Sequence, residues 1–211
     1  MSSSGTDIKK LFEYKSSCRN PSVSVDGKRI AFLCVERSGQ KSSSYLKLLI
    51  TNNDGKILRE IDMQLSYSKP SWSINGFDIA VADEQNTIYS VNYLTGVANK
   101  ITKGFTPAFS HDGKYLAFIR HRKDSGRSDL VLLNLVTKNE KILVANDNFG
   151  QGPHSSPQWT SDGKYILYAH YVKSMGPVEK QELMAYSIDL NSSILLFKAD
   201  IAISGFSLKD K

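Results

Sequence analysis

The feature that most constrains this sequence is a short phrase that occurs four times. Its copies are PSVSVDGK at 21–28, PSWSING at 70–76, PAFSHDGK at 107–114 and PQWTSDGK at 157–164. The repeated prolines lie 49, 37 and 50 residues apart, and each phrase runs into an apolar segment. A repeat period of about 20 to 50 residues is typical of propellers and solenoids.

The segments between the phrases favour strands over helices. They are β-branched and aromatic runs separated by Asp-Gly, Asn-Gly and Thr-Gly, with no sustained period near 3.6 residues. We expect Asp-Gly or Asn-Gly to form a two-residue hairpin turn. The large residue of each phrase should pack between neighbouring blades; these residues are Val23, Trp72, Phe109 and Trp159. The next residue carries a hydroxyl that should bond the turn; these residues are Ser24, Ser73, Ser110 and Thr160.

The phrase resembles the P-x-W-S-P-D-G-K repeat of TolB-like β-propellers, which also occurs in the propeller domains of prolyl oligopeptidases. The resemblance implies an all-β fold of four-stranded antiparallel blades and, for function, binding of lipoprotein and envelope partners. Propellers of this kind also serve as enzyme gates and lyases, so the repeat indicates fold more directly than function.

We predict one propeller domain over 8–211, preceded by a leader at 1–7. Third and fourth strands can be assigned in every repeat, which gives blades near 21–62, 70–102, 107–145 and 157–198. Partial strands are expected at 8–14 and 203–211. The count suggests a fragment or an incomplete ring, whose open edges would favour a homo-oligomer; a four-bladed ring with a frayed end is the alternative.

Composition fits a soluble globular protein, with 40% hydrophobic and 23% charged residues and no run long enough to cross a bilayer. The first residues, MSSSGT, lack the basic start and apolar core of a secretory signal, which predicts a cytoplasmic chain. The family resemblance instead implies a periplasmic protein whose signal peptide has been removed.

The two cysteines, Cys18 and Cys34, flank the first hairpin. Counting pairs from a two-residue turn places Cys18 opposite Val35 and Cys34 opposite Arg19. The cysteines are then neighbours rather than partners. Because disulfide geometry is narrow, this register favours two free thiols, with a disulfide as the alternative.

The charge is unevenly divided between the two sides of the predicted ring. Loops after the second and fourth strands of each blade form one side, the loop face, with twelve basic and six acidic residues, a net +6 that equals the charge of the whole chain. The turns after the first and third strands form the turn face, where five lysines balance five aspartates. The loop face is therefore predicted to bind an anionic partner, either an acidic protein segment or an acidic glycan.

Three long loops from adjacent blades form the predicted partner-binding surface, since loops on a rigid scaffold commonly carry binding residues. Nucleic acid is disfavoured because only Phe149 and Tyr171 offer stacking rings among the cations. The predicted surface consists of Arg120, His121, Arg122, Lys123, Arg127, Phe149, Gln151, His154 and Lys173.

We predict a non-enzymatic protein-interaction module without cofactor or metal. The sequence contains no G-x-S-x-G, P-loop, HExxH or dinucleotide motif. Two alternatives stay open: the propeller part of a larger peptidase-like protein, and a propeller lyase with a histidine-bound metal that acts on an acidic glycan. The lyase candidates are Gln151, His154 and His170, which do not by themselves complete a metal site.

Overall fold

Alternating apolar strands and glycine turns build four antiparallel sheets. The computed structural model describes residues 10–37, 44–122, 127–145, 152–153, 157–172 and 180–199. Each sheet is one blade, with its strands side by side in chain order apart from a split first strand in the fourth. The first blade contains β1 (Cys18–Val23), β2 (Arg29–Arg37), β3 (Ser44–Asn52) and β4 (Ile57–Leu65); the second β5 (Ser71–Trp72), β6 (Asp78–Ala82), β7 (Thr87–Asn92) and β8 (Ala98–Lys103); the third β9 (Phe105–Phe109), β10 (Tyr115–His121), β11 (Ser128–Asn134) and β12 (Glu140–Val144); the fourth β13 (Gly152–Pro153), β14 (Gln158–Trp159), β15 (Tyr165–Val172), β16 (Lys180–Ser187) and β17 (Ser192–Ala199).

The core lies between the blades. Separate clusters of buried side chains join the first blade to the second, the second to the third and the third to the fourth. Two tryptophans reinforce these interfaces: Trp72 Nε1 donates to the Ser22 carbonyl at 2.9 Å, and Trp159 Nε1 to the Ala108 carbonyl at 3.1 Å. The described residues place no blade before the first, so Val23, at the same position, is 57% exposed and the prediction that it packs between blades is wrong.

The turn of the repeated phrase is longer than predicted. Ser24 and Arg29 close the first hairpin through Ser24 N–H to Arg29 O at 2.8 Å, leaving four residues in the loop. Gly27 adopts φ 68°, a left-handed conformation that glycine tolerates best. The predicted role of the hydroxyl is confirmed here: Ser24 Oγ donates to Asp26 Oδ1 at 2.6 Å and accepts from Arg29 N–H at 3.0 Å.

The same hydroxyl pattern recurs in the third and fourth phrases. Ser110 Oγ donates to Asp112 Oδ1, and Thr160 Oγ1 to Asp162 Oδ1, both at 2.6 Å. In the second phrase Asn75 bonds the turn instead, because its Oδ1 accepts from the N–H groups of Phe77 and Asp78. The phrase is therefore a turn-forming unit whose polar residues are used inside the turn.

The predicted cysteine register is wrong. Cys18 pairs with Cys34 across β1 and β2, and the two form a disulfide with an S–S distance of 2.00 Å. A register shift between Arg19 and Ser22, at Asn20 with φ 54°, displaces the start of β1 by one residue. Such a bulge is invisible to counting from the turn, and it brings the two cysteines opposite each other.

Residues 10–17 cover the outer face of the first blade without forming a strand. Phe12 packs on Phe32 with ring centroids 5.3 Å apart, and Val35 N–H donates to the Ser17 carbonyl at 3.0 Å. We call residues 10–17 the cap segment. The strand predicted at 8–14 is therefore absent from 10–14, whereas 8–9, the leader at 1–7 and the strand predicted at 203–211 lie outside the described residues.

Candidate functional site

Arg120, the first residue of the predicted surface, lies near the end of β10. Its guanidinium forms a two-point ion pair with Glu140, Nη1 to Oε2 at 2.7 Å and Nη2 to Oε1 at 2.8 Å. Arg120 Nε also donates to the Lys103 carbonyl at 3.0 Å, in the second blade. This arginine therefore joins two blades, and a partner would have to share it with those contacts.

His121 and Arg122 follow directly and also contact their own blade. His121 Nδ1 lies 2.7 Å from Ser128 Oγ, its ring lies 4.3 Å from that of Phe105, and burial lowers its pKa. Arg122 donates from Nε and Nη2 to the two oxygens of Asp129, at 2.7 and 2.8 Å. Both side chains are held on the loop face at the end of β10.

The remaining predicted residues are only partly described. Arg127 is partly buried, and its carbonyl accepts from Arg122 N–H at 2.8 Å. The other five lie outside the described residues: Lys123, Phe149, Gln151, His154 and Lys173. The structure thus brings four of the nine together around one hairpin, and binding by this surface stays a prediction.

Two exposed cations, Arg19 and Lys69, also lie on the loop face, near the start of the first, or inner, strand of their blades. Arg19 lies over the ring of Tyr67 at 5.1 Å, and Asn20 Nδ2 donates to the Tyr67 carbonyl at 2.5 Å, so this pair joins the first blade to the second. Lys69 is exposed directly before Pro70. The sequence analysis assigned both cations to the loop face but did not include them in the predicted surface. Their position just before the repeated prolines could have identified them.

The inner strands of all four blades line one central funnel. Its volume is about 580 Å³, and its wall includes Lys69 together with the repeated prolines Pro21, Pro70, Pro107 and Pro157. Each phrase contributes the same segment of its inner strand, so the funnel is a direct result of the repeat. Lys69 therefore connects the loop face with the funnel.

A second electrostatic cluster lies beneath the cap segment, far from the predicted surface. The side chain of Lys47 is only 8% exposed, and its Nζ lies 2.8 Å from Glu36 Oε2 and 2.5 Å from Glu60 Oε2. Burial alone would lower the pKa of Lys47, but the hydrogen bonds with Glu36 and Glu60 outweigh it and raise the pKa above its usual value. The lysine thus remains charged, and its role is structural.

Several carboxylates are held below their usual pKa by donors within the fold. The hydrogen bond from Lys47 lowers the pKa of Glu36, that from Arg120 lowers the pKa of Glu140, and that from Ser110 lowers the pKa of Asp112. A carboxyl whose pKa is lower in the folded than in the unfolded state stabilises the fold at pH values above its unfolded-state pKa. This stabilisation is lost as the pH falls through its folded-state pKa.

We therefore expect the free energy of unfolding to decrease as the pH falls below about 4.5, the ordinary range of carboxylates. Urea denaturation between neutral and acidic pH measures this. Glu140→Gln should show a shallower acid dependence than the wild type because one stabilised carboxylate is removed. Glu84→Gln, at an exposed position, is the matched control. An identical acid slope in Glu140→Gln and the wild type would contradict the assignment.

The histidines give no sign of a metal centre within the described part of the chain. His170 Nδ1 lies 3.6 Å from Glu182 Oε2, and His121 is stacked and bonded as above. No group of three or more metal-ligating side chains occurs among the described residues. The lyase candidates Gln151 and His154 lie outside them. Nor does any helix capable of spanning a bilayer occur in the described ranges.

Comparison with known proteins relates this architecture to TolB propellers. The Tol-Pal system protein TolB of Francisella tularensis subsp. holarctica (strain OSU18) is 29% identical over 129 residues, covering 56% of this chain and 29% of the relative. The structure of a putative TolB from Agrobacterium tumefaciens superposes with a TM-score of 0.66 at 15% identity, over 90% of this chain and 69% of that one. The chain is a TolB-like β-propeller.

Other comparisons agree with this fold. TolB from Acinetobacter baumannii also gives a TM-score of 0.66, at 18% identity, over 92% of this propeller and 47% of that chain. Propellers of an acylaminoacyl peptidase and an oligogalacturonate lyase share the fold, with TM-scores of 0.59 and 0.52. No protein-family model matches the sequence. The propeller spans less than a third of the length of the curated TolB relative, since 29% is covered.

Proposed function

We propose that this propeller is a non-enzymatic protein-interaction module of a cell-envelope assembly, and that it binds an anionic partner on its loop face. The observation that carries the proposal is the TolB-like sequence and fold combined with two exposed cations of the loop face, Arg19 and Lys69, of which Lys69 lies in the funnel wall. The proposed surface keeps the nine sequence-predicted residues and adds these two. Positive potential at the mouth of a funnel attracts acidic segments over several ångströms.

The disulfide supports an extracytoplasmic location. Cys18 and Cys34 are bonded, and disulfides persist in oxidising compartments such as the periplasm. A periplasmic module would agree with the Tol-Pal system named for the relatives. We therefore propose a periplasmic location, and the cytoplasmic expectation based on the first six residues stays the alternative.

The direct test is calorimetric titration with a Pal protein, the component named with Tol in the system of the relatives. Reversing Arg120 or Arg122 would also break their ion pairs with Glu140 and Asp129, so these are poor test positions. Arg19→Glu combined with Lys69→Glu is cleaner because both side chains are exposed; the change gives up the contact of Arg19 with the exposed ring of Tyr67 but breaks no ion pair among the described residues. We expect binding that weakens with salt and falls at least about tenfold in the double variant, the effect of about 1.4 kcal/mol.

The matched control is Lys28→Glu combined with Lys56→Glu. Both lysines are exposed on the turn face, and the charge change is the same. This variant should bind like the wild type. Absence of binding by the wild type, or an equal loss in both double variants, would contradict an interaction through the loop face. Turnover of an acidic oligosaccharide that requires an added divalent metal would favour the lyase alternative instead.

A further inference from the structure

A large crevice opens on the turn face between the third and fourth blades. Its volume is about 800 Å³, and its lining includes the apolar side chains of Leu132, Trp159 and Ile188 together with Tyr115. Polar residues surround these, among them Asp112. The crevice lies on the side opposite the loop face and is separate from the interaction proposed above.

The corresponding crevice between the first and second blades is filled by an arginine. The side chain of Arg29 is only 15% exposed; Nη2 lies 2.6 Å from Asp26 Oδ2, and Nη1 donates to Tyr93 Oη at 2.6 Å. The guanidinium carbon lies 5.0 Å from the ring centroid of Tyr93 and 5.8 Å from that of Trp72. An arginine clamped between a carboxylate and aromatic rings thus closes this interface.

The repeat defines which residues correspond in the two crevices. By position in the phrase, Asp26 corresponds to Asp112, Arg29 to Tyr115 and Trp72 to Trp159. Tyr93 N–H donates to the Phe77 carbonyl and Ile188 N–H to the Lys164 carbonyl, both at 2.9 Å, so Tyr93 corresponds to Ile188. The crevice between the third and fourth blades therefore keeps the carboxylate and the tryptophan but lacks both the arginine and the tyrosine.

The retained groups have the same local arrangement. Trp159, like Trp72, donates its indole N–H to a carbonyl of the preceding inner strand. Asp112 Oδ1 accepts from Ser110 Oγ and Lys114 N–H, as Asp26 Oδ1 accepts from Ser24 Oγ and Lys28 N–H. The second carboxylate oxygens differ. Asp26 Oδ2 receives the guanidinium of Arg29, whereas the group near Asp112 Oδ2 is the Lys114 ammonium at 3.8 Å. The side chains of Lys114 and Asp112 are 67% and 48% exposed.

The charge of the lining also favours a cation. The carboxylates of Asp112 and Asp162 line the crevice with one lysine, Lys141, whereas the third lining carboxylate, that of Glu140, is already paired with Arg120. The Lys141 ammonium donates to Asn191 Oδ1 at 2.7 Å. With Asp112 and Asp162 ionised, the lining has one carboxylate more than it has lysines, and Asp112 Oδ2 is the oxygen placed to receive a cation.

We propose that this crevice is a binding site for an arginine side chain of a partner polypeptide. The guanidinium would lie against the indole of Trp159 and pair with Asp112 Oδ2, in the arrangement that Arg29 shows within the chain. The volume exceeds that of one guanidinium, so a neighbouring apolar residue of the partner fits over Leu132 and Ile188. Arginine suits the site better than lysine because its planar guanidinium can lie flat against the indole while one of its N–H groups bonds Asp112 Oδ2.

The test uses the whole chain and a blocked peptide, acetyl-Gly-Arg-Leu-Gly-amide, with its citrulline analogue as the uncharged control. The readout is the NMR signal of the tryptophan indole N–H groups. The chain has two tryptophans, so Trp72, whose crevice is filled, is an internal control, and Trp72→Phe assigns the signals. We expect a saturable shift of the Trp159 signal only, with the citrulline peptide at least about tenfold weaker, as loss of a charge-assisted hydrogen bond implies.

Variants separate the site from a general effect. Asp112→Asn keeps the oxygen that bonds the turn and should weaken the arginine peptide about tenfold, whereas Asp26→Asn should leave its affinity unchanged. Tyr115→Arg combined with Ile188→Tyr rebuilds the filled crevice and should abolish binding. No saturable shift, equal affinity for the citrulline peptide, or equal shifts of both indole signals would overturn the proposal.

Discussion

Replacing Cys18 and Cys34 by alanine together is expected to lower the free energy of unfolding by about 3 kcal/mol. The bond closes a loop with a sequence separation of 16, and a cross-link over about 15 residues restricts the unfolded chain by roughly that amount. It also fixes the end of the cap segment to β2, at a residue that is completely buried. Urea denaturation under oxidising conditions measures the change.

The wild type in reducing buffer provides the matching control. Reductant should destabilise the wild type by a similar amount and leave the double alanine variant unaffected. A cost below about 1 kcal/mol, within the range of ordinary substitutions, would show that the bond is unimportant for stability. A large effect of reductant on the alanine variant would show that the effect does not come from this disulfide.

Gly55→Ala is expected to cost about 3 kcal/mol, much more than the same substitution at other turns. A Cβ at Gly55 would lie 2.0 Å from the Leu11 carbonyl oxygen and 2.9 Å from Phe12 Cβ, so the backbone of the cap segment has to move. Such a displacement would separate Phe12 from Phe32 and expose the Lys47 cluster, at a cost comparable to other losses of core packing. Urea denaturation measures the stability, and limited proteolysis within residues 10–17 measures release of the cap.

Gly27→Ala is the matched control because it strains only the backbone conformation and creates no steric clash. Gly27 has φ 68° and no atom within 4 Å of a Cβ, whereas Gly55 has φ 81° and a crowded site. Alanine in the left-handed conformation costs about 1 kcal/mol. We expect Gly27→Ala to show that cost and an unchanged proteolysis pattern. Equal costs at the two glycines would contradict the close packing of the cap segment.

The two faces of the propeller are chemically distinct. The loop face has exposed cations, among them Lys69 in the funnel wall, and the turn face has a crevice lined by apolar, carboxylate and neutral polar side chains. The two proposed interactions use different residues and are tested with separate probes. Sedimentation equilibrium would further test the prediction of a homo-oligomer, which the structure leaves as a prediction.

The sequence by itself determined the four blades and the TolB-like fold. Period, proline position and Asp-Gly turns are local signals, and the hydroxyls of Ser24, Ser110 and Thr160 act within a few residues of themselves. Such features are readable because the interactions that produce them are short in sequence.

Three features depended on the tertiary structure alone: the register of β1 against β2, the position of the cap segment, and whether the arginines are paired or free. A single bulged residue at Asn20 brings Cys18 opposite Cys34, and nothing in the counting of pairs predicts it. Whether Arg120 is free or paired depends on Glu140, 20 residues away, and whether a crevice is filled depends on which side chains two adjacent blades contribute. These outcomes depend on long-range packing, where one residue of offset changes every contact, and therefore only the folded chain reveals them.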